Sequence, residues 1–340
     1  MIMAREISKQ NHDAVDLMKA ILAIMVVSLH ILSDITPYIT ILFRLAVPIF
    51  FITSSYFFFI KQNNLSNNIS ARENALKKFE WRLFRLYLCW AIIEFPLTMK
   101  LWMEKWIVLG YGTTQRIAYV FVNFLLGSTF YASWYLMALM LGTITIAVLS
   151  RWLHNRWLFI LSLLSYLFCC RASYGGLFFY PPTSVMASFF WIVLGKMIAD
   201  NIPFFTGIRA KSPKWKCGMI TLALICYYYE AFLCLKAPKL GTMKFILPFL
   251  AVFIFLTVLD IRTIIPRAKI YRTVSTVTYC AHGAVFSVLI AAGNRIGIKL
   301  EYLPYNVLGC IGVIIICTLL GVCIHSLKQK KNFRWLAWFC

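Results

Sequence analysis

Long apolar stretches separated by short polar segments run through this chain from one end to the other. Each stretch has about 16 to 24 residues, the length that a helix needs to cross the hydrocarbon core of a membrane. The pattern predicts an all-α, polytopic membrane protein with ten transmembrane helices, at about residues 14–33, 40–60, 80–99, 133–150, 157–170, 184–199, 217–235, 245–261, 273–292 and 303–326.

No internal repeat divides these stretches, so we expect one unit and not two domains. Residues 1–13 would form a cytoplasmic leader, 14–326 the transmembrane domain, and 327–340 a basic cytoplasmic tail. The apolar segment 116–131 ends in Gly, Ser and Thr close to the next span, and we expect it to be a re-entrant or interfacial helix outside the membrane core.

Composition supports a membrane protein, since 61% of the residues are hydrophobic, 14% are charged and the mean hydropathy is +0.77. The net charge of +22 could suggest nucleic acid binding, but its distribution argues against that partner. With a cytoplasmic N-terminus, segments on the inner side carry 22 of the 34 Lys and Arg, and the outer loops carry 9. This bias follows the positive-inside rule, so both termini are predicted to be cytoplasmic, in a multi-pass protein of an inner or plasma membrane.

The first apolar stretch has no small-residue cleavage signature, so we expect an uncleaved span and not a signal peptide. The eleven Cys are scattered through apolar stretches without a CxxC motif. They predict neither a disulfide framework nor a bound metal, and we interpret them as small core residues.

Lys19 and His30 are polar residues within the first apolar stretch, and they lie eleven positions apart. Eleven residues bring a helix back to within about 20° of the same face and advance it roughly 16 Å. Ionisable groups inside a spanning helix are costly unless they face protein or water, so this stripe indicates a buried functional path.

The other polar residues lie at different predicted depths in the membrane. Arg82 and Arg85 lie on one face at the cytoplasmic start of the third span, where they and Lys19 could bind a polyanion such as the phosphates of a donor. Arg44, near the outer end of the second span, could act with His30 on a hydroxyl acceptor, or it could reach the outer headgroups.

Several motifs in the chain resemble those of the acyltransferase-3 family of integral membrane acyltransferases. Lys19 and His30 form a [K/R]-x10-H pair, Arg82 and Arg85 form R-x-x-R, and the segment RLAVPIFFITSSYFF from Arg44 is similar to VPxFFxxSGY. Two further segments are similar to family motifs: Ser133-Trp134-Tyr135-Leu136 to H-L-W-[FY]-L, with shifted opening residues, and Tyr279 to His282 to Y-x-x-H.

The resemblance covers about residues 13–326. It implies transfer of an acyl group, most often acetyl from acetyl-CoA, to a sugar hydroxyl at the outer face. Relatives also modify lipids, antibiotics or peptidoglycan, and some are the membrane part of serine racemases. The partners implied are acyl-CoA, a glycan or other envelope acceptor, and membrane lipids, with no metal. We expect the chain to complete the transfer itself or to pass the acyl group to a separate protein.

His30 fits the role of general base, because a neutral imidazole with an ordinary pKa near 6.5 can take a hydroxyl proton and return it to a thiolate. Asp34 follows one turn later and could orient the ring. Trp134 and His282 are candidate substrate contacts. The default interpretation of Trp134 is an aromatic residue of the membrane interface, and His282 could equally be a hydrogen-bonding group of the core.

Two departures from the family pattern stand out: Ser55 replaces the usual Gly of the S-G-[YF] turn, and Ser133 stands where a His often precedes the Trp. Two carboxylates within predicted spans, Glu94 and Glu230, are expected to be paired for structural reasons. Two other functions remain open: a transporter or flippase, whose repeats and broken helices are not seen here, and a non-catalytic anchor, which would not need the Lys19 and His30 stripe.

Overall fold

The computed structural model describes residues 12–32, 37–65, 68–130, 133–174, 182–235, 244–300 and 302–340. These residues form α-helices and one 3-10 helix, with no β-strand among them. The α-helices are α1 (Asp13–Ile31), α2 (Pro37–Phe43), α3 (Ala46–Asn64), α4 (Ile69–Val108), α5 (Thr113–Leu125), α6 (Ser133–Leu149), α7 (Asn155–Tyr174), α8 (Pro182–Ala199), α9 (Pro203–Arg209), α10 (Pro213–Leu235), α11 (Leu247–Leu259), α12 (Ala268–Arg295) and α13 (Tyr305–Leu327). The 3-10 helix is Lys331–Phe339.

Nine of the ten predicted spans each fall on one of these helices, and the span 40–60 covers the end of α2 and most of α3. Five helices are long and apolar enough to cross a membrane: Asp13–Ile31, Ile39–Asn64, Ile69–Val108, Ala268–Arg295 and Tyr305–Leu327. The segments Val185–Ala199 and Pro203–Arg209, which meet at 73°, would make a sixth span if counted together. Ser133–Leu149 and Leu247–Leu259 are shorter apolar helices. The chain is a helical membrane protein, while the number of ten spans and the orientation of the termini stay predictions.

The core forms where apolar helix faces meet. Helix α12 packs along both α13 and α1, and α3 packs along α8, which also contacts α6 and α7. Large side chains from these helices are almost fully buried, including Tyr56, Phe51 and Tyr166. This packing holds α1 beside both α3 and α12, and it brings Lys19 and His30 of α1 next to the helix that carries His282.

Helices α4 and α6 run antiparallel. Near one end Arg151 Nη2 donates to Glu73 Oε1 at 3.1 Å, and further along Thr143 Oγ1 donates to Glu80 Oε1 at 2.6 Å. Helix α5 lies against the other half of α4, where the Trp102 and Tyr119 rings are 6.0 Å apart. The first part of the predicted interfacial segment 116–131 is thus in α5, which has no buried residue, and it is followed by a turn in which Gly127, Thr129 and Phe130 are buried.

Ser133 holds that turn in place. Its side chain is fully buried, and its Oγ accepts hydrogen bonds of 3.1 Å from the backbone N–H groups of Thr129 and Phe130. The Oγ also donates to the carbonyl of Gly127, a residue with φ of +72°. A serine at this position thus satisfies backbone groups in a sharp turn, a structural task that its position in the motif does not reveal.

Ser55 fills a close contact between α3 and α8. It is fully buried and its Oγ donates to the Phe51 carbonyl at 2.7 Å. Gly195 of α8 faces it, and a Cβ at Gly195 would clash with Ser55 Oγ and lie 2.6 Å from the Ile52 carbonyl oxygen. The small residue of this contact is therefore on α8, which allows Ser to stand where the family motif has Gly.

We expect Gly195→Ala to destabilise the protein by about 1–3 kcal/mol, because the backbone of Ile52 cannot move aside. Thermal unfolding of the purified protein in nanodiscs would measure the loss. Gly218→Ala is the matched control, since a Cβ there meets nothing within 4 Å. Equal melting temperatures for the two variants would show that the α3–α8 contact can separate at little cost.

Candidate functional site

Four cations and one carboxylate meet at one end of α1 and α12. This cationic cluster consists of Lys19, Arg82, Arg85 and Arg272 around Asp16. Arg82 and Arg272 are electrostatic neighbours of Lys19, and Arg85 is a neighbour of Arg82. The structure thus brings the three predicted donor-binding residues together and adds Arg272 to them.

Asp16 is the anchor of the cluster. It is 4% exposed and accepts two hydrogen bonds from Arg272, from Nε at 3.1 Å and from Nη2 at 2.7 Å. Lys19 Nζ lies 4.0 Å from the same carboxylate and 5.4 Å from the centre of the Phe57 ring. Asp13 is also an electrostatic neighbour of Arg272. The four cations outnumber these two carboxylates, and the excess of positive charge suits a polyanionic ligand.

Arg82 and Arg85 lie three residues apart on α4, and each lies over an aromatic ring. Arg82 is 5.6 Å from the centre of the Phe79 ring, and Arg85 is 5.2 Å from that of Trp338. Arg85 Nε is buried and has no hydrogen-bond partner within the described residues. Such a donor is available to a ligand oxygen.

The C-terminal 3-10 helix covers this part of the cluster. Its Trp338 lies over Arg85, and its Phe339 carbonyl accepts a hydrogen bond of 3.3 Å from Trp90 Nε1. The Phe339 ring packs edge-on against Trp90, with ring centres 5.8 Å apart. The predicted basic tail is therefore docked against α4 in this structure.

The other ends of α1 and α12 carry a pair of histidines. The rings of His30 and His282 are stacked, with centres 5.3 Å apart and planes inclined by 22°. His282 is buried, and its Nδ1 lies 2.8 Å from the Tyr279 carbonyl oxygen. Since a carbonyl only accepts, Nδ1 carries the proton in this contact, and the neutral ring has its lone pair on Nε2.

Arg44 approaches the histidine pair from the break between α2 and α3. It is an electrostatic neighbour of His30 and of Tyr227, whose hydroxyl donates to the Ile41 carbonyl at 2.9 Å. Arg44 is partly buried. The predicted grouping of Arg44 with His30 is consistent with this placement, and the structure adds His282.

Aromatic side chains connect the histidine pair to the cationic cluster. The ring of Tyr279 is 6.4 Å from that of His282 and 5.3 Å from that of Tyr135. Tyr135 is an electrostatic neighbour of Arg82, and its hydroxyl is 3.0 Å from Ser54 Oγ. Tyr135 and Tyr279 thus lie between the two polar groups, along the stripe that Lys19 and His30 define on α1.

Two further residues were predicted for the site, Trp134 and Asp34. Trp134 is partly buried, with its ring 6.0 Å from that of Phe51 on α3. Asp34, the proposed orienting carboxylate for His30, lies outside the described residues. The next residue after Trp134, Tyr135, is the one that reaches the stripe.

Two site residues were missed by the sequence analysis: Asp16 and Arg272. Asp16 lies three residues before Lys19, and a carboxylate at that spacing on a spanning helix was a usable signal. Arg272 was counted among the charges that orient the chain. Its pairing with Asp16, 256 residues away, could not be inferred without the fold.

The arrangement places phosphate-binding chemistry at one end of two neighbouring helices and proton-transfer chemistry at the other. The contacts of Asp16 with Arg272 and of His30 with His282 show that α1 and α12 run parallel. Eleven residues on α1 separate the two ends by roughly 16 Å. Such a site can hold a long anionic donor at one end and react with a hydroxyl at the other.

Comparison with known proteins gives the family. A family model described as an acyltransferase domain, Acyl_transf_3, matches residues 12–322. The chain is also similar to an amino-acid racemase from Enterococcus faecalis, with 32% identity over 151 residues. That alignment covers 42% of this chain and 20% of the racemase, so the similarity involves a minor part of the relative. No solved structure matches the chain. Since the family model spans nearly the whole transmembrane region, the chain belongs to the acyltransferase-3 family of membrane acyltransferases.

Proposed function

We propose that this acyltransferase moves an acyl group, with acetyl as the expected one, from cytoplasmic acyl-CoA to a hydroxyl of an extracytoplasmic glycan or other envelope acceptor. One observation carries the proposal. The parallel helices α1 and α12 each bear a cation at one end and a histidine at the other. Lys19 and Arg272 meet at the same Asp16 carboxylate, and the rings of His30 and His282 are stacked. A donor-binding group and a proton-transfer group are therefore joined along one wall of the protein.

The cationic cluster suits the phosphates of CoA. Arginine forks match phosphate oxygens in a bidentate manner, and Lys19 adds a compact charge. The buried Nε of Arg85 provides a donor that the described part of the protein does not use. In this proposal the pantetheine arm extends from the cluster past Tyr135 and Tyr279, and brings the thioester to the histidine pair.

The transfer step needs one base. The acceptor oxygen attacks the thioester carbonyl carbon, a C–O bond forms, and the C–S bond breaks. His30 takes the proton of the hydroxyl and returns it to the departing thiolate, so that no net proton is gained or lost. His282, whose ring is fixed by the Tyr279 carbonyl, holds the acceptor beside His30. Arg44 contributes positive charge close to the developing oxyanion.

The direction of transfer follows from charge distribution. The cationic cluster lies at the end of α1 that the Lys and Arg bias predicts to be cytoplasmic, where CoA is found. The histidine pair lies at the opposite end. This direction suits modification of a surface glycan in a bacterial plasma or inner membrane.

Mass spectrometry of surface glycans tests the proposal in cells that carry the wild-type gene, His30→Ala or no copy of the gene. We expect an acetyl-sized mass to be lost in both the variant and the deletion, with the variant inserted at the wild-type level. The lost mass would also identify the acceptor. A deletion that changes no acylation but alters the export of a solute would support a transporter, and the proposal would be wrong.

A further inference from the structure

A cavity of about 200 Å³ lies beside α4, away from the polar stripe. It is lined by Glu94, Leu97, Thr98, Leu101, Trp102, Ser128, Thr129 and Phe130. The first five residues belong to α4 and the other three to the turn that precedes α6. At about 30 Å³ per water molecule, the space fits a small organic group.

Glu94 is the acidic residue of this cavity. It is 2% exposed, and its Oε1 has no hydrogen-bond partner within the described residues. Glu230, the other carboxylate predicted to be paired, accepts hydrogen bonds from the backbone of Phe245 and Ile246 at 2.6 and 2.9 Å. The expectation of structural pairing thus fits Glu230 but not the described contacts of Glu94. A buried carboxylate without a partner is costly, so Glu94 calls for a ligand that donates hydrogen bonds.

The hydroxyl groups around Glu94 narrow the chemistry of that ligand. Thr98 Oγ1 donates to the Thr129 carbonyl, and Thr129 Oγ1 donates to Tyr87 Oη at 3.0 Å. Their protons are used within the protein, so these side chains offer the cavity mainly lone pairs. Apart from the Ser128 hydroxyl, which can also donate, the polar side of the cavity therefore presents acceptors, and the remaining walls are apolar.

An ammonium group matches this set of acceptors better than a hydroxyl. An ammonium has three donors and no acceptor, whereas a hydroxyl also brings lone pairs that would face leucine and phenylalanine walls. The rings of Trp102 and Phe130 suit a cation as well. We propose that the Glu94 cavity binds the primary ammonium group of a small amine or of an aminophospholipid headgroup.

The cavity is accessible to either source of the ammonium group, a small amine or a lipid headgroup. Leu101, which lines the cavity, is about half exposed, as expected of a side chain that meets lipid. Glu94 is also an electrostatic neighbour of Cys280, which lies between Tyr279 and His282 on α12. Glu94 therefore links the cavity electrostatically to the helix that carries half of the histidine pair. The inference itself does not depend on acyl transfer.

Binding of small probes to the purified protein tests this inference. The protein is held in nanodiscs of phosphatidylglycerol, without acyl donor. Ethanolamine and ethylene glycol form a matched pair of probes, because they differ only by an amine in place of a hydroxyl. We expect ethanolamine to raise the melting temperature of the wild type in a saturable manner, ethylene glycol to have no such effect, and Glu94→Gln to weaken the response about tenfold or more. Glu104→Gln, an exposed acid of the same helix, is the control.

In the lipid arm of the experiment, phosphatidylethanolamine is added to the nanodiscs and its retention is measured by native mass spectrometry. Retention of phosphatidylethanolamine by the wild type but not by Glu94→Gln would identify the headgroup as the source. Leu97→Trp, which fills the cavity and keeps the carboxylate, should abolish binding in both arms and replaces Glu94→Gln if that variant fails to insert. Equal responses to the two small probes, or no loss of amine and lipid binding in either cavity variant, would overturn the inference.

Discussion

Replacing His30 by alanine is expected to lower the rate of acyl transfer by about 10²–10⁴-fold, the range that a positioned general base contributes. The substitution removes the imidazole that stacks on His282 and faces Arg44. Binding of CoA should stay unchanged, because the cationic cluster lies roughly 16 Å away along α1. Turnover of acyl-CoA in the presence of acceptor, compared with CoA binding to the same preparation, separates the two effects.

His154→Ala is the matched control for this variant, since His154 is an exposed residue between α6 and α7. The double variant with His282→Ala should be little slower than His30→Ala alone, because residues that act as a unit are not additive. Multiplied losses in the double variant would mean that the two histidines act separately. Full activity of His30→Ala would exclude His30 as the base.

Arg85→Ala is expected to weaken CoA binding by about tenfold to a hundredfold, the equivalent of one hydrogen bond between a charged donor and a phosphate. Arg85→Lys should restore only part of the affinity, since an ammonium cannot present the planar fork of a guanidinium. Isothermal titration calorimetry with CoA and protein in nanodiscs measures both variants without knowledge of the acceptor. The losses should shrink at high salt.

Arg151→Ala provides the comparison for this prediction. Arg151 pairs with Glu73 at 3.1 Å, and both side chains are about half exposed, so its removal should change neither CoA affinity nor folding. Equal losses in the Arg85 and Arg151 variants would point to general charge attraction. An Arg85→Ala protein that binds CoA as tightly as the wild type would place the donor elsewhere.

The helices were largely predictable because the spans of a membrane protein are long apolar stretches of its sequence. Every predicted span is helical, with 40–60 divided between α2 and α3, although by length and hydropathy five or six stand out as membrane-crossing. The boundary at α4 was the least predictable, because this helix of 40 residues continues well beyond the predicted span 80–99 on both sides. Charged residues near both ends of α4 interrupt the apolar pattern, but the helix continues through them.

The site was predictable where its residues lie on one helix. Lys19 and His30 share a stripe because eleven residues are close to three helical turns, and the R-x-x-R spacing put Arg82 and Arg85 on one face. Contacts between distant segments were not predictable in the same way. The sequence offered His282 as a possible substrate contact, but its stacking on His30 depends on how α12 packs against α1.

Docking of the C-terminal 3-10 helix against Trp90 and Arg85 has a practical consequence for mapping this protein in the membrane. Reporter fusions that replace residues beyond Leu327 would still show on which side α13 ends. They would also remove Trp338 from Arg85 and open the cationic cluster to solvent. A reporter inserted in the exposed segment around His154 would preserve that cover, and it should give topology and activity from the same molecule.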